Sequence, residues 1–328
     1  MADSDQNACE KVINFMVKHI YNNGLRRKEG DKTGELYSQV YVNRIGTHAW
    51  QKRNTMEREV YEAADRHLFP TEWRTVSTHR GAVMNAVKYL ENCRDTEVMR
   101  FKVGRSAWSF LGRDGNPVIY DGTLDRVFEA NEYPRDQSVA RHFDREFQFY
   151  PEFREDAGSQ SVEHGSWFNI PTPSIDKFLD VQQLDESVKR WIWVFFGRCF
   201  YDVGAYDNWQ VVLFPLGKGG TGKSTLLKCI AHAYEPQDVG IMSNRMEKQF
   251  GLSAFFDKCL VIAPEIGQGM SLSQQEFQSI VSGEPMSVAV KRETACNLER
   301  WKVPVLLAGN ELPVADSSSG TGWQDKFG

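Results

Sequence analysis

Residues 217–225, GKGGTGKST, concentrate the chemistry of the chain: Gly217, Gly222, Lys223 and Ser224 satisfy the pattern GxxxxGK[ST]. Gly217, Lys218, Gly219, Gly220, Thr221 and Gly222 form a loop poor in side chains, so its backbone N–H groups can turn inward around a phosphate. A helix starting near Lys223 adds the positive end of its dipole. Lys223 then reaches the β- and γ-phosphates of ATP, and Ser224 sets its hydroxyl on Mg²⁺. Thr225 stands beside it on the first helical turn, and Lys218 faces solvent. A glycine turn between any strand and helix can match so short a pattern. Here the apolar run WQVVLFPL precedes it and LLKCIAHAY follows, which is the strand and helix the chemistry needs.

A phosphate cradle does not tell whether a phosphoryl group passes to a substrate or to water, and residues further along bear on that. Residues 258–265, KCLVIAPE, read as an apolar strand beside the phosphate-loop strand, ending in Glu265. A carboxylate there can polarise an attacking water. Ala263 and Pro264 stand where a second carboxylate is often found, so Glu265 is expected to meet Mg²⁺ through water. A third strand, VPVLLAGN at 303–310, ends in Asn310, whose amide carries both a donor and an acceptor for the γ-phosphate and the water. Taken singly, Glu265 reads as a solvated strand-end acid and Asn310 as a turn residue. Their order behind the loop favours the catalytic reading of Lys223, Glu265 and Asn310.

In order, GKGGTGKST, QFGLSAFFDKCLVIAPE, IVSGEPMSVAVKRE and VPVLLAGNELP resemble the core of superfamily 3 helicases, specifically the poxvirus-type and large-DNA-virus primase-helicase ATPases. The resemblance covers residues 170–313 and implies an α/β, P-loop NTPase (AAA+-like) core with a central parallel sheet. It assigns Lys223 and Ser224 to the A motif, Glu265 to the B motif and Asn310 to sensor 1. SGEPMSVAVKRE is similar to the family's B-prime motif, whose strand leads into a hairpin facing the channel of a hexameric ring. Lys291 and Arg292 are thereby candidates for sequence-independent contacts with single-stranded DNA phosphates; otherwise they are a basic pair on a solvated hairpin.

The implied function is an ATP-dependent DNA helicase of viral-type replication, acting as a homo-hexamer inside the host cell, with a primase domain or protein as a further partner. The family also places an arginine finger shortly after the ELP segment, whereas no arginine follows Arg300. The expectation is a chain truncated before its finger, with low hydrolytic activity of its own. Two other readings are a P-loop phosphotransferase acting on a small molecule and a nucleotide-gated origin-binding or assembly module.

The elements that must position these residues are legible in part. SIDKFLDVQQ and DESVKRWIWVFFGRCFYDV read as helices, the second opening on Asp185 and Glu186, with Val188, Trp191, Ile192 and Phe195 forming an apolar stripe. With the turn-rich stretch before them they give a linker and helical segment at 161–205 between a mixed α+β accessory domain at 1–160 and the ATPase core, C-terminally incomplete, at 206–328. Within the accessory domain, helices are expected at 8–22, 51–68 and 77–92, with a polar loop after the first and a small β region at 98–122. LRRKEGDK and NRIGTHAWQKRNTMER interleave basic residues with Trp50, which could hold a nucleic acid backbone and stack a base, and which more often marks a solvated surface. Asp3 and Asp5 form a DxD at a polar terminus and read as solvated acids.

Composition bounds the rest. The chain has 328 residues, 41% hydrophobic and 25% charged, with no apolar run approaching the ~18 residues of a membrane span. Six scattered cysteines form no CxxC pair, which argues for a reducing compartment and against zinc. The net charge of −5 requires any nucleic acid binding to use a local basic surface.

Overall fold

The computed structural model describes residues 2–29, 34–68, 74, 78, 81, 84–85, 100–148, 170–243, 251–267, 272–290 and 295–312. The chain forms two compact units, residues 1–147 and 148–328. It is a mixed α/β protein with several sheets. No helix among the described residues is long and apolar enough to cross a membrane.

In the first unit, helix α1 (Ala2–Asn22) places Val12, Met16 and Ile20 four residues apart on one face. That spacing buries them with Leu36 and with Val60, Ala63 and Ala64 of helix α2 (Met56–His67). One sheet has the order β3-β2-β1-β4, from strands β1 (Leu25–Lys28), β2 (Glu35–Val42), β3 (Ile45–Thr55) and β4 (Arg100–Phe101). Two local expectations change here. The polar stretch after α1 is a strand, because LRRK pairs with β2 on one side and β4 on the other, and Arg27 and Lys28 are buried by that pairing. Residues 51–55 extend β3 rather than opening a helix, since Gln51, Lys52 and Asn54 pair with Ser38, Tyr37 and Leu36 of β2, across one shift of register. α2 begins only where the Thr55 hydroxyl accepts from Arg58 N and caps it. The helix expected at 77–92 lies largely outside the described residues.

The second sheet of this unit has the order β7-β6-β5-β8, from β5 (Ala107–Leu111), β6 (Pro117–Asp121), β7 (Arg126–Glu129) and β8 (Arg141–Glu146). Its β5–β6 hairpin answers the β region expected at 98–122. His48 is buried in a left-handed backbone, φ +59°, with its two ring nitrogens each 2.9 Å from a carbonyl oxygen, of Gln137 and of Ala130. Such a histidine is a structural clamp. Trp50 stacks on Phe101 with ring centroids 4.7 Å apart and planes 11° off parallel, so that ring face is spent on the protein interior.

The second unit contains α3 (Pro173–Val181), α4 (Glu186–Arg198), α5 (Lys223–Ala231), β9 (Val239–Ile241), β10 (Leu260–Ile266), α6 (Gln274–Ser282), β11 (Met286–Val288), β12 (Cys296–Leu298) and β13 (Val305–Gly309). The sheet β13-β10-β9 is parallel throughout. Leu260, Val261, Ile262 and Ala263 are buried in succession, the pattern of a strand covered on both faces. Helix α6 opens on a complete capping box, Ser273 with Glu276, and closes on Gly283 in the left-handed conformation. Trp301, fully buried, donates its indole N–H to the Val303 carbonyl at 2.7 Å and anchors the start of the chain into β13.

Candidate functional site

The phosphate-loop segment enters the sheet as an irregular edge. Leu307 N donates to Leu213 O at 3.3 Å, Gly309 N to Pro215 O at 3.2 Å, and Gly217 N to Gly309 O at 3.2 Å. Residues 213–217 thus run parallel to β13, but only Leu216 makes a ladder pairing, with Gly309. Pro215 has no N–H to give, which explains why the strand expected before the loop is extended rather than regular. The order across the sheet is therefore phosphate-loop segment, β13, β10, β9. This corrects one sequence expectation: the strand beside the phosphate loop ends in Asn310, and the strand carrying Glu265 lies one place further out. Gly309 permits that closeness, since a Cβ there would lie 2.3 Å from the Ile266 carbonyl and 2.7 Å from the Phe214 ring.

At the C-terminal ends of these strands the singled-out residues meet. The Lys223 ammonium donates to Gly217 O at 2.6 Å, to Lys218 O at 2.7 Å and to Asn310 Oδ1 at 3.1 Å, with Thr221 Oγ1 a longer fourth contact at 3.5 Å. Thr221 donates its hydroxyl to Lys218 O at 2.9 Å and closes the loop from within. Gly219, Gly220 and the Lys218 side chain are exposed. The Ser224 hydroxyl is exposed and reaches the Pro264 carbonyl at 3.4 Å, which brings it to the residue before Glu265. Thr225, its neighbour on α5, is also exposed.

Glu265 owes its setting to Pro264. The β10–β13 register shifts between Ala263 and Ile266, so Pro264 and Glu265 form a bulge opposite a single residue of β13. A proline cannot donate to the ladder and is tolerated where a bulge interrupts it, and such bulges re-aim side chains beside functional sites. Glu265 is exposed while Ala263 and Ile266 on either side are fully buried.

Helix α5 begins at Lys223 with Gly222 as its N-cap, φ +86°, and no side chain caps it. Its first-turn N–H groups are therefore the free donors that an anion can accept. Gly222 is required twice over. Its backbone is left-handed, and a Cβ would also lie 2.8 Å from Cζ of Phe178 on α3. Gly222→Ala is expected to cost about 1–3 kcal/mol by the strained backbone alone. Urea denaturation measures this, and an unchanged midpoint would contradict the loop's packing against α3. Phe178 and Gln182 were not singled out in the sequence; their four-residue spacing in PSIDKFLDVQQ was the signal for a shared helix face turned to the loop.

No group of three or more His, Cys, Asp or Glu residues among the described residues could hold a metal ion. Ser224 and Glu265 suit Mg²⁺ of the kind that arrives with phosphates and keeps several waters, rather than one held in a protein cage. The strands β11 and β12 pair antiparallel, with Val288 opposite Cys296. Lys291 and Arg292, which fall between them in sequence, lie outside the described residues.

Residues 216–321 match the model of a family of unknown function, DUF5906. No curated protein matches the chain. Among solved structures, the apo C-terminal region of NrS-1, residues 305–718, is similar at 12% identity and a TM-score of 0.34, covering 66% of this chain and 57% of that one. A second apo form of the same region gives 12% identity and a TM-score of 0.33, covering 66% of this chain and 56% of the other. The chain thus spans a little over half the length of the solved chains it matches. A likeness this distant carries no functional argument, which has to come from the site's own geometry.

Proposed function

We propose that the chain is an ATPase of the P-loop class, with an AAA+-like core, whose hydrolysis of ATP drives movement along single-stranded DNA in viral-type replication. The observation that carries this reading is the 3.1 Å bond from Lys223 to Asn310, together with the 3.4 Å reach of Ser224 to Pro264. These contacts gather the ends of three sequence-distant segments at one point above a parallel sheet, which is where such sheets bind ligands. The further step, from ATPase to DNA translocation in a homo-hexamer, rests on the ordered resemblance to superfamily 3 helicases, including Lys291 and Arg292 as DNA contacts.

The chemistry follows from what each group can do. The Lys223 ammonium exchanges carbonyl acceptors for phosphate oxygens and neutralises charge as it develops there. First-turn amides of α5 hold the β-phosphate. Asn310, carrying a donor and an acceptor, spans the γ-phosphate and the attacking water, and the Glu265 carboxylate orients that water and takes up its proton. Ser224 and Glu265 are the residues that would hold Mg²⁺ arriving with ATP, Ser224 by its hydroxyl and Glu265 through water, and the ion would supply further charge neutralisation.

The deciding experiment measures ATP binding and phosphate release separately on this chain, with and without single-stranded DNA. The reading expects binding, and turnover that rises when DNA is added. ATP binding with no turnover in either condition would favour an assembly module. Turnover indifferent to DNA, with phosphate appearing on a small acceptor, would favour a phosphotransferase.

A further inference from the structure

A cavity of about 450 Å³ opens from the phosphate loop and runs under the helices that precede it. It is lined by Gly217, Thr221, Gly222 and Lys223 of the loop and by Leu184, Val188 and Ile192 before it. Phe178 and Gln182, at the end of α3, also line it. Phe178 presses its ring edge on the loop, and Gln182 Nε2 lies 3.6 Å from where a Cβ on Gly222 would sit. Away from the loop, Gln182 carries the one polar side chain in the lining, and it is half-buried.

We propose that this cavity is a base site selective for adenine, with Gln182 as the residue that reads the base. The inference rests on the phosphate-loop reading above and deepens it. A ligand anchored by its phosphates at Lys223 continues, one sugar away, into a space whose walls are apolar, and a flat aromatic ring gains from burial there. Such a pocket binds by its apolar walls and discriminates by a few placed polar groups, and here that group is one amide. An amide offers a donor and an acceptor side by side. Adenine presents the complementary pair at N6 and N7, whereas guanine shows two acceptors on the same edge, N7 and O6. A base that turns this edge to Gln182 can therefore be bonded at both atoms if it is adenine and at only one if it is guanine.

The geometry also gives α3 and α4 a role distinct from that of a linker. They build the wall that separates a nucleoside triphosphate from bare triphosphate, and the phosphate loop alone could not. Val188 is 42% exposed at the cavity's rim, so a larger side chain can be placed there with little effect on the core.

Calorimetric titration of the full chain with ATP, GTP and inorganic tripolyphosphate tests the assignment. Wild type is expected to bind ATP about 10-fold or more tighter than GTP, the discrimination a bidentate base contact supplies. Gln182→Ala is expected to bring the two affinities together and to leave tripolyphosphate binding unchanged. Val188→Trp, which fills the cavity, is expected to weaken both nucleotides and spare tripolyphosphate. Equal wild-type affinity for ATP and GTP, or an ATP preference that survives Gln182→Ala, overturns the base site while leaving the phosphate loop standing. If Lys223→Ala leaves tripolyphosphate and ATP affinity unchanged, the phosphate-loop reading fails, and the base site fails with it.

Discussion

Lys223→Ala is expected to lower kcat for ATP hydrolysis by about 10²–10³-fold, the usual cost of removing one preorganised donor from a developing charge. The ammonium is held by Gly217 O, Lys218 O and Asn310 Oδ1, so it is already aimed along the mouth of the loop before any phosphate is bound. Its removal takes away the charge that, on the proposed reading, would meet the γ-phosphate, and also the clasp between the loop and β13. Lys223→Arg is not expected to rescue, because the wide planar guanidinium cannot occupy the place of a compact ammonium bonded to two adjacent carbonyls. Phosphate release at saturating ATP measures the effect, with circular dichroism to show that the fold is kept. Turnover within threefold of wild type would remove Lys223 from the mechanism.

The second large effect separates binding from chemistry. Glu265→Gln keeps the shape and hydrogen-bonding reach of the side chain and deletes its charge. ATP affinity is expected to stay close to that of wild type, while kcat falls by about 10²–10⁴-fold, the usual contribution of a positioned general base. The split arises because Glu265 is exposed at a bulge, one strand beyond the Lys223–Asn310 contact, where it can address the attacking water and not the loop that holds the phosphates. A loss of affinity as large as the loss of turnover would assign Glu265 to binding through the metal instead. Titration calorimetry and single-turnover hydrolysis on the same preparation distinguish the two.

How much of this was legible in the sequence differs from residue to residue. GKGGTGKST stands out because glycine supplies backbone freedom that other residues cannot, and a helix does follow it, from Lys223 to Ala231. α4 and its buried stripe were equally legible, since a 3.6-residue period is written in the chain and Ile192 and Phe195 are indeed buried. Trp191 and Val188 belong to the same stripe yet remain exposed, because periodicity shows that a face exists and not what covers it. LRRK was not legible as a strand. Its charges argue for solvent, and only pairing with β2 and β4 outweighs them.

By itself, the sequence determined the glycine-rich loop at 217–222 and the helix after it, the strands that run to Glu265 and Asn310, and the helices before the loop, all features encoded by residues close together in the chain. The tertiary structure alone decided that β13 lies between the phosphate loop and β10, that Pro264 turns Glu265 outward at a bulge, and that Phe178 and Gln182 stand against Gly222. Strand order depends on how the crossover connections pass, and the α3 contact on which helix face finds apolar cover. Both are set by burial between distant segments, for which no short stretch of residues carries the code.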